Sequence, residues 1–180
     1  MISALIQKAA IPAFAAIAAA GGGLIASVEP HPPSAYLHEA NFFEVSSAAR
    51  AAEASYSRAD LNNDGHIDQD EYVTLAIVSA ELFRLNGFVA LETTNGALRV
   101  SIAAANEGAL ADKEKASIRA RARAEYARLA GDDQKLSERE FVDSKVEEFY
   151  SADIDRNGVL TGAELKHFAF AQTRIGLLVG

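Results

Sequence analysis

The chain has 180 residues and a mass of 19.1 kDa, enough for one domain or two small lobes with a real core. Seventeen Lys and Arg against 25 Asp and Glu give a formal charge of −8, which works against nucleic acid as a partner. There is no Cys, so disulfides, thiolate metal sites and a Cys nucleophile are excluded, and any metal must be held by oxygen or imidazole.

Residues 9–28 carry no charged side chain and follow Lys8, the order of a secretory signal. Residues 1–27 therefore read as a signal peptide, with small-residue cleavage sites at Ala18-x-Ala20 and at Ile25-Ala26-Ser27. The rival reading is an uncleaved membrane anchor over 9–28, since about 20 apolar residues just span a bilayer. Export, periplasmic or secreted, follows from the first; the second gives the one membrane contact expected. Pro30, Pro32 and Pro33 make 28–40 a semi-rigid linker, and the folded part is expected near His38.

The capping-box spacing of Asn41-Phe42-Phe43-Glu44 predicts a helix over 42–59. It enters the segment Asp60-Leu61-Asn62-Asn63-Asp64-Gly65-His66-Ile67-Asp68-Gln69-Asp70-Glu71. Oxygen-bearing side chains fall at positions 1, 3, 5, 9 and 12 of these twelve residues. In a tightly wound loop, alternate residues turn their oxygens toward one centre, and a cation of calcium's size takes six to eight of them. Asp60, Asn62, Asp64 and Asp68 supply side-chain oxygens, and the carbonyl of His66 supplies a backbone one. Gly65 permits the sharp turn. Glu71 opens the next helix and can reach back with both oxygens, which suits calcium better than octahedral magnesium.

A buried exit helix is expected over 72–85, with Val73, Ala76, Ile77, Ala80, Leu82 and Phe83 on several sides. Residues 88–102 carry two readings. One is a decayed form of the same twelve-residue pattern over 91–102, with Leu91 and Ile102 at positions 1 and 12 and so no metal. The other is a β-hairpin around Asn95-Gly96. Residues 112–130 are the one basic stretch. They read as a helix whose Ile118, Ala122, Tyr126 and Leu129 face inward while Lys and Arg are solvated. Residues 129–140 form a second relic, with Asp133, Leu136, Ser137 and Glu140 at positions 5, 8, 9 and 12 but no side-chain oxygen at Leu129 or Gly131.

Ser137 caps an expected helix over 138–152, which enters a second complete pattern at 153–164. Its ligands are Asp153, Asp155, Asn157, the Val159 carbonyl, Thr161 and Glu164. A closing helix is expected over 163–174, and the apolar end 175–179 is expected to dock back on the core.

Both patterns are similar to the EF-hand calcium loop, D-x-[DN]-x-[DN]-G-x₅-E. The resemblance is to the superfamily as a module. It implies an all-α fold of helix-loop-helix units, with two intact calcium loops, one or two degenerate ones and the hairpin as an alternative insertion. It also implies two Ca2+ ions and paired loops sharing a β-bridge at Ile67 and Leu160. The loops begin 93 residues apart, at 60 and 153, so two pairings are open. Each intact loop can pair with its decayed neighbour, giving lobes at 41–106 and 112–180, or the intact loops can pair with each other. The first keeps contacts local and is preferred. No enzyme motif occurs, so a non-enzymatic calcium-responsive sensor or adaptor is expected, with a protein partner on a calcium-exposed apolar groove. A constitutive structural ion or a buffer is the alternative.

Overall fold

A computed structural model describes residues 38–93, 96–102 and 108–175. The expected leader, most of the linker, Asn95 of the expected turn and the end at 176–180 lie outside these residues. Among the described residues, no helix is long and apolar enough to cross a membrane.

Among the described residues there are five helices: α1 (Val45–Ala59), α2 (Gln69–Asn86), α3 (Asp112–Leu129), α4 (Glu138–Ala152) and α5 (Gly162–Gln172). Five short strands accompany them: β1 (His38–Glu39), β2 (Phe42–Glu44), β3 (Phe88–Thr93), β4 (Gly96–Ser101) and β5 (Val159–Thr161). The fold is helix-rich with small sheets, which corrects a purely all-α expectation. α1 also begins three residues later than expected, because 42–44 is extended and pairs antiparallel with β5. The edge of β5 captures this backbone, and the capping box at Asn41 does not form.

Residues 88–101 are a hairpin, not a decayed loop. β3 and β4 pair antiparallel from Phe88–Ser101 to Thr93–Gly96, and β1 adds in parallel to β4. Gly96 begins β4 opposite Thr93, and the rest of the expected turn lies outside the described residues. α2 stops just before it at Gly87, whose φ of +69° gives the left-handed helix end that glycine accepts most readily.

The preferred local pairing of loops is also corrected. The first loop bridges the 129–140 relic through Ile67 and Leu136, with paired backbone hydrogen bonds of 3.0 and 3.2 Å. The second loop pairs with β2, where Phe43 sits opposite Leu160. Neither intact loop pairs with the hairpin or with the other intact loop. Hydrophobic matching decides this, because Ile67, Leu136, Phe43 and Leu160 are all buried at the junctions.

A shift of 93 residues maps one half of the structure onto the other. It carries α1 onto α4 end to end, the first loop onto the second, Phe43 onto Leu136, and Glu44 onto the α4 cap Ser137. Buried positions follow: Ala48 and Phe141, Ala52 and Lys145, Tyr56 and Phe149, Tyr72 and Leu165, Leu75 and Phe168. β2 thus stands where the back half of a degenerate loop would stand. α1 leaves β2 and α4 leaves the degenerate loop, each enters an intact loop, and the two pack side by side, with α2 packing on α3. Among the described residues the core falls into two clusters. One gathers Tyr56, Ile67, Tyr72, Tyr126 and Phe141, and the other gathers Phe43, Phe149, Leu160 and Phe168.

Candidate metal centres

In the first loop, two residues hold left-handed backbone, Asn63 (φ +56°) and Gly65 (φ +82°) at positions 4 and 6. These reversals wind the segment so that side chains at 1, 3 and 5 return toward its own N–H groups. Asp60 Oδ1 accepts from the Asp64 N–H (3.1 Å) and its Oδ2 from the Gly65 N–H (2.9 Å). Asn62 Oδ1 accepts from Asp64 N–H (2.8 Å) and Asp64 Oδ1 from His66 N–H (3.0 Å). Glu71 is buried, and its Oε1 reaches back to the Leu61 and Asn62 N–H groups at 2.8 and 3.1 Å. Its Oε2 accepts from the Asp68 N–H while Asp68 Oδ1 accepts from the Glu71 N–H, closing a capping box on α2. The carboxylate at position 12 therefore ties the start of the loop to the start of the exit helix.

The second loop repeats the scheme. Arg156 (φ +59°) and Gly158 (φ +78°) supply the reversals. Asp153 is buried, and its two oxygens accept from the Asn157 and Gly158 N–H groups at 3.2 and 2.9 Å. Asp155 Oδ1 accepts from Asn157 N–H and Asn157 Oδ1 from Val159 N–H. Glu164 Oε1 accepts from Ile154 and Asp155 N–H. Asp153, Asp155 and Glu164 each bring one carboxylate oxygen within 4.8 Å of the others. Among the described residues, the first loop forms no such set of three carboxylates. Asn62 holds its position 3, and Asp68 is engaged at the helix cap. Thr161 is the exposed N-cap of α5 with no side-chain cap bond. Every donor in both loops is oxygen, the chemistry a hard cation such as calcium requires.

The relic differs by a deletion as well as by its side chains. α3 runs through Leu129, so the loop begins at Ala130 and reaches Glu140 one residue short. A 3-10 turn at Gly131–Asp133 takes up the shorter path, and Gln134 adopts the left-handed conformation (φ +55°) where the intact loops carry glycine. Its Glu140 serves only the Ser137 capping box on α4. A loop lacking one residue and its first two oxygen donors has no complete cage to offer.

Two tyrosines to which the sequence reading assigned no hydrogen bond brace two of the loops. Tyr56 donates its hydroxyl to the Gly65 carbonyl at 2.6 Å, and Tyr126 donates to the Gln134 carbonyl at 2.6 Å. Burial, and after it the Asp60 carboxylate, push the Tyr56 phenol above its usual range. Burial, then Asp68, do the same to Tyr126. Each tyrosine stands four residues before its loop begins, and that spacing is the signal that finds them. The second loop has Phe149 at this place and no such brace.

The sequence reading overlooked an ionic group inside the helices. Glu148 accepts from Lys145 Nζ (2.9 Å), Arg174 (3.1 Å) and Gln172 (2.7 Å), and Arg174 also bonds Glu125 (3.2 Å). Burial pushes the Glu148 carboxyl up, but Arg174 and Lys145 together outweigh it and hold it down at about 2. Burial lowers Lys145, reinforced by Arg174 and opposed by Glu148. The group ties α4 to α3, to α5 and to the turn after it.

Residues 57–76 match the family model described as EF hand. The match spans the last turn of α1, the whole first loop and the first two turns of α2. No curated protein and no solved structure matches the chain. The match supports the EF-hand resemblance and, with it, calcium binding in general; the family is usually non-enzymatic.

Proposed function

We propose that the protein binds two calcium ions, one in each intact loop, and acts outside the cytoplasm as a non-enzymatic calcium-responsive sensor or adaptor. The observation that carries this reading is the hydrogen-bond scheme the two loops share, which turns their oxygens inward and ties position 12 to position 2 in both. Asp60, Asn62, Asp64, the His66 carbonyl, Asp68 and Glu71 hold the first ion. Asp153, Asp155, Asn157, the Val159 carbonyl, Thr161 and Glu164 hold the second. Calcium supplies positive charge to crowded carboxylates whose mutual repulsion otherwise opposes the compact loop.

The response travels through the helices that the loops terminate. Glu71 and Glu164 stand in the first turns of α2 and α5, so a change in their grip shifts those helices against α1 and α4. The apolar surface uncovered would come from Phe, Leu and Val, because the only Met of the chain is Met1. Such a surface suits few partners.

A second reading, a permanently filled structural ion, is favoured by the way Glu71 and Glu164 already fasten the loops with the chain's own N–H groups. Outside the cytoplasm, an abundant ion fills even weak sites and stabilises the fold by mass action.

A calorimetric calcium titration of the chelator-stripped protein, with about a millimolar magnesium present, separates the readings. Two sites at micromolar affinity or tighter, with increased apolar-dye binding on loading, support the sensor. Two sites near millimolar affinity, with a molten ion-free form, support the structural ion. No binding overturns both.

A further inference from the structure

The charges of α3 are mixed in sequence, its Lys and Arg interspersed with Asp112, Glu114 and Glu125, yet packing sorts the two signs by side. Glu114 turns to Arg84 of α2 at 2.7 Å, and Glu125 turns to Arg174 at 3.2 Å. Both acids are thus engaged by other elements. Lys115 follows them inward, to Glu81 of α2 at 2.6 Å. Lys113, Arg119, Arg123 and Arg128 stay exposed. Arg123 comes no closer than 4.0 Å to Asp70, and Lys113, Arg119 and Arg128 have no ion-pair partner among the described residues.

From Lys113 to Arg128 these cations extend about 22 Å along the helix axis. The exposed positions between them are Ala116, Ala120, Ala124 and Ala127, so no longer side chain overhangs the charges and none there can enter hydrocarbon. Helical spacing sets Arg119 and Arg123 on one flank of the alanines and Arg128 on the other. An acidic peptide lying along the helix meets one flank, whereas a flat negative surface meets both through the long, flexible stems. The rest of the chain is acidic, but at 0.1 M salt its charges are screened beyond about 10 Å, so the local face decides the contact. Residues 9–28 carry no charged side chain and, if retained, would hold the chain at a bilayer. Residues 29–37 then reach at most about 30 Å before β1 begins.

We propose that this face of α3 docks on a bilayer that carries anionic phospholipids, with Lys113, Arg119, Arg123 and Arg128 among the headgroups. The contact is electrostatic and superficial, and it uses no ligand of either loop.

The chain has no Cys, so Ala120→Cys in the full chain takes a single fluorescent label at the middle of this face. Quenching of that label by a headgroup nitroxide, which needs contact, is measured on phosphatidylcholine vesicles and on an equimolar mixture with phosphatidylglycerol, in calcium and in chelator. Residues 9–28 are uncharged, so their insertion does not distinguish the two vesicles. The expected result, in at least one of the two states, is quenching on the mixed vesicles that exceeds quenching on phosphatidylcholine and is lost in about 0.5 M salt. Arg119→Glu combined with Arg123→Glu should weaken the charge-dependent binding at least about 25-fold, roughly fivefold for each cation removed. Should that variant not fold by far-ultraviolet circular dichroism, Lys113→Gln combined with Arg128→Gln takes its place. Equal quenching on both vesicles in both states overturns the docking, as does quenching that survives the salt and the substitutions. A label that responds to polyglutamate or duplex DNA and not to the vesicles assigns the face to another polyanion and overturns the lipid.

Discussion

The two halves related by the 93-residue shift share a skeleton and differ in what fills it. Around α1 the filling is small: Ala48, Ala52 and Ser55 face the interior, and a cavity lies against them. The corresponding residues of α4 are Phe141, Lys145 and Glu148, a ring and an ion pair. At the end of the exit helix the contrast repeats, with Glu81 paired to Lys115 at the surface of one half and Arg174 drawn inward in the other. The difference teaches that the loop and its two helix ends set the backbone, while the interior tolerates opposite solutions. A buried ion pair is weak support in itself, yet removing one partner leaves a charge stranded in low dielectric.

The largest expected effect therefore lies in the second half. Glu148→Gln strands Lys145 and leaves Arg174 with Glu125 alone, and should cost about 3 kcal/mol of stability at neutral pH, whereas Ser55→Ala, its counterpart, should cost less than about 1 kcal/mol. Denaturant unfolding measures both. The same carboxyl sets an acid limit. Its folded pKa of about 2 lies below the ordinary value of 4.5, so its contribution is complete above pH 4.5 and is lost as pH falls toward 2. Glu148→Gln should flatten that part of the stability curve. An unchanged acid limb would show that the cluster is not what fails in acid.

The loops come next. Glu71→Gln and Glu164→Gln should each weaken calcium in its own loop by roughly 10- to 100-fold, consistent with losing charged hydrogen bonds and an ionic ligand, while Asp70→Asn changes little. Calorimetry resolves the sites, and equal effects from all three substitutions would contradict the register. Removing the brace from one half, Tyr56→Phe, should cost about 1 kcal/mol and weaken only the first loop. Phe149→Tyr asks whether the second loop can acquire the brace. A gain in calcium affinity there without loss of stability would make the tyrosine a tuning element of either loop.

The parts of the fold legible in the sequence are those written in local spacing. Asp, Asn and Glu at fixed intervals around Gly65 and Gly158 exposed both loops, Ser137 marked the start of α4, and apolar alternation admitted the hairpin. What was not legible depends on partners far away in the chain. Phe43 reads as the first turn of a helix until Leu160 pairs with it. Leu129 reads both as an inward residue of a helix and as loop position 1; α3 claims it, and with it goes the missing residue of the relic. Lys145, Glu148 and Arg174 have the composition of a solvated face, and only the packing of α3, α4 and the turn after α5 draws them together. The shift that aligns the loops also aligns Phe43 with Leu136, so pursuing the repeat beyond the loops would have found the partner strand.

The smallest effect concerns loop position 4. Both halves need left-handed backbone there, and they supply it with different residues, Asn63 in one and Arg156 in the other. Asn tolerates this conformation because its short amide bonds locally, as Asn63 Nδ2 does to the Leu61 carbonyl at 3.5 Å. Arg gains nothing comparable, so its Cβ works against the second loop whether or not an ion is present. Arg156→Asn should raise stability by about 0.5–1 kcal/mol, and Asn63→Arg should lower it by a similar amount. Because the strain belongs to the backbone and not to the ligands, both changes should persist in chelator. If Arg156→Asn instead acted only in calcium, the left-handed turn would form on binding, and the second loop would be the half that calcium folds.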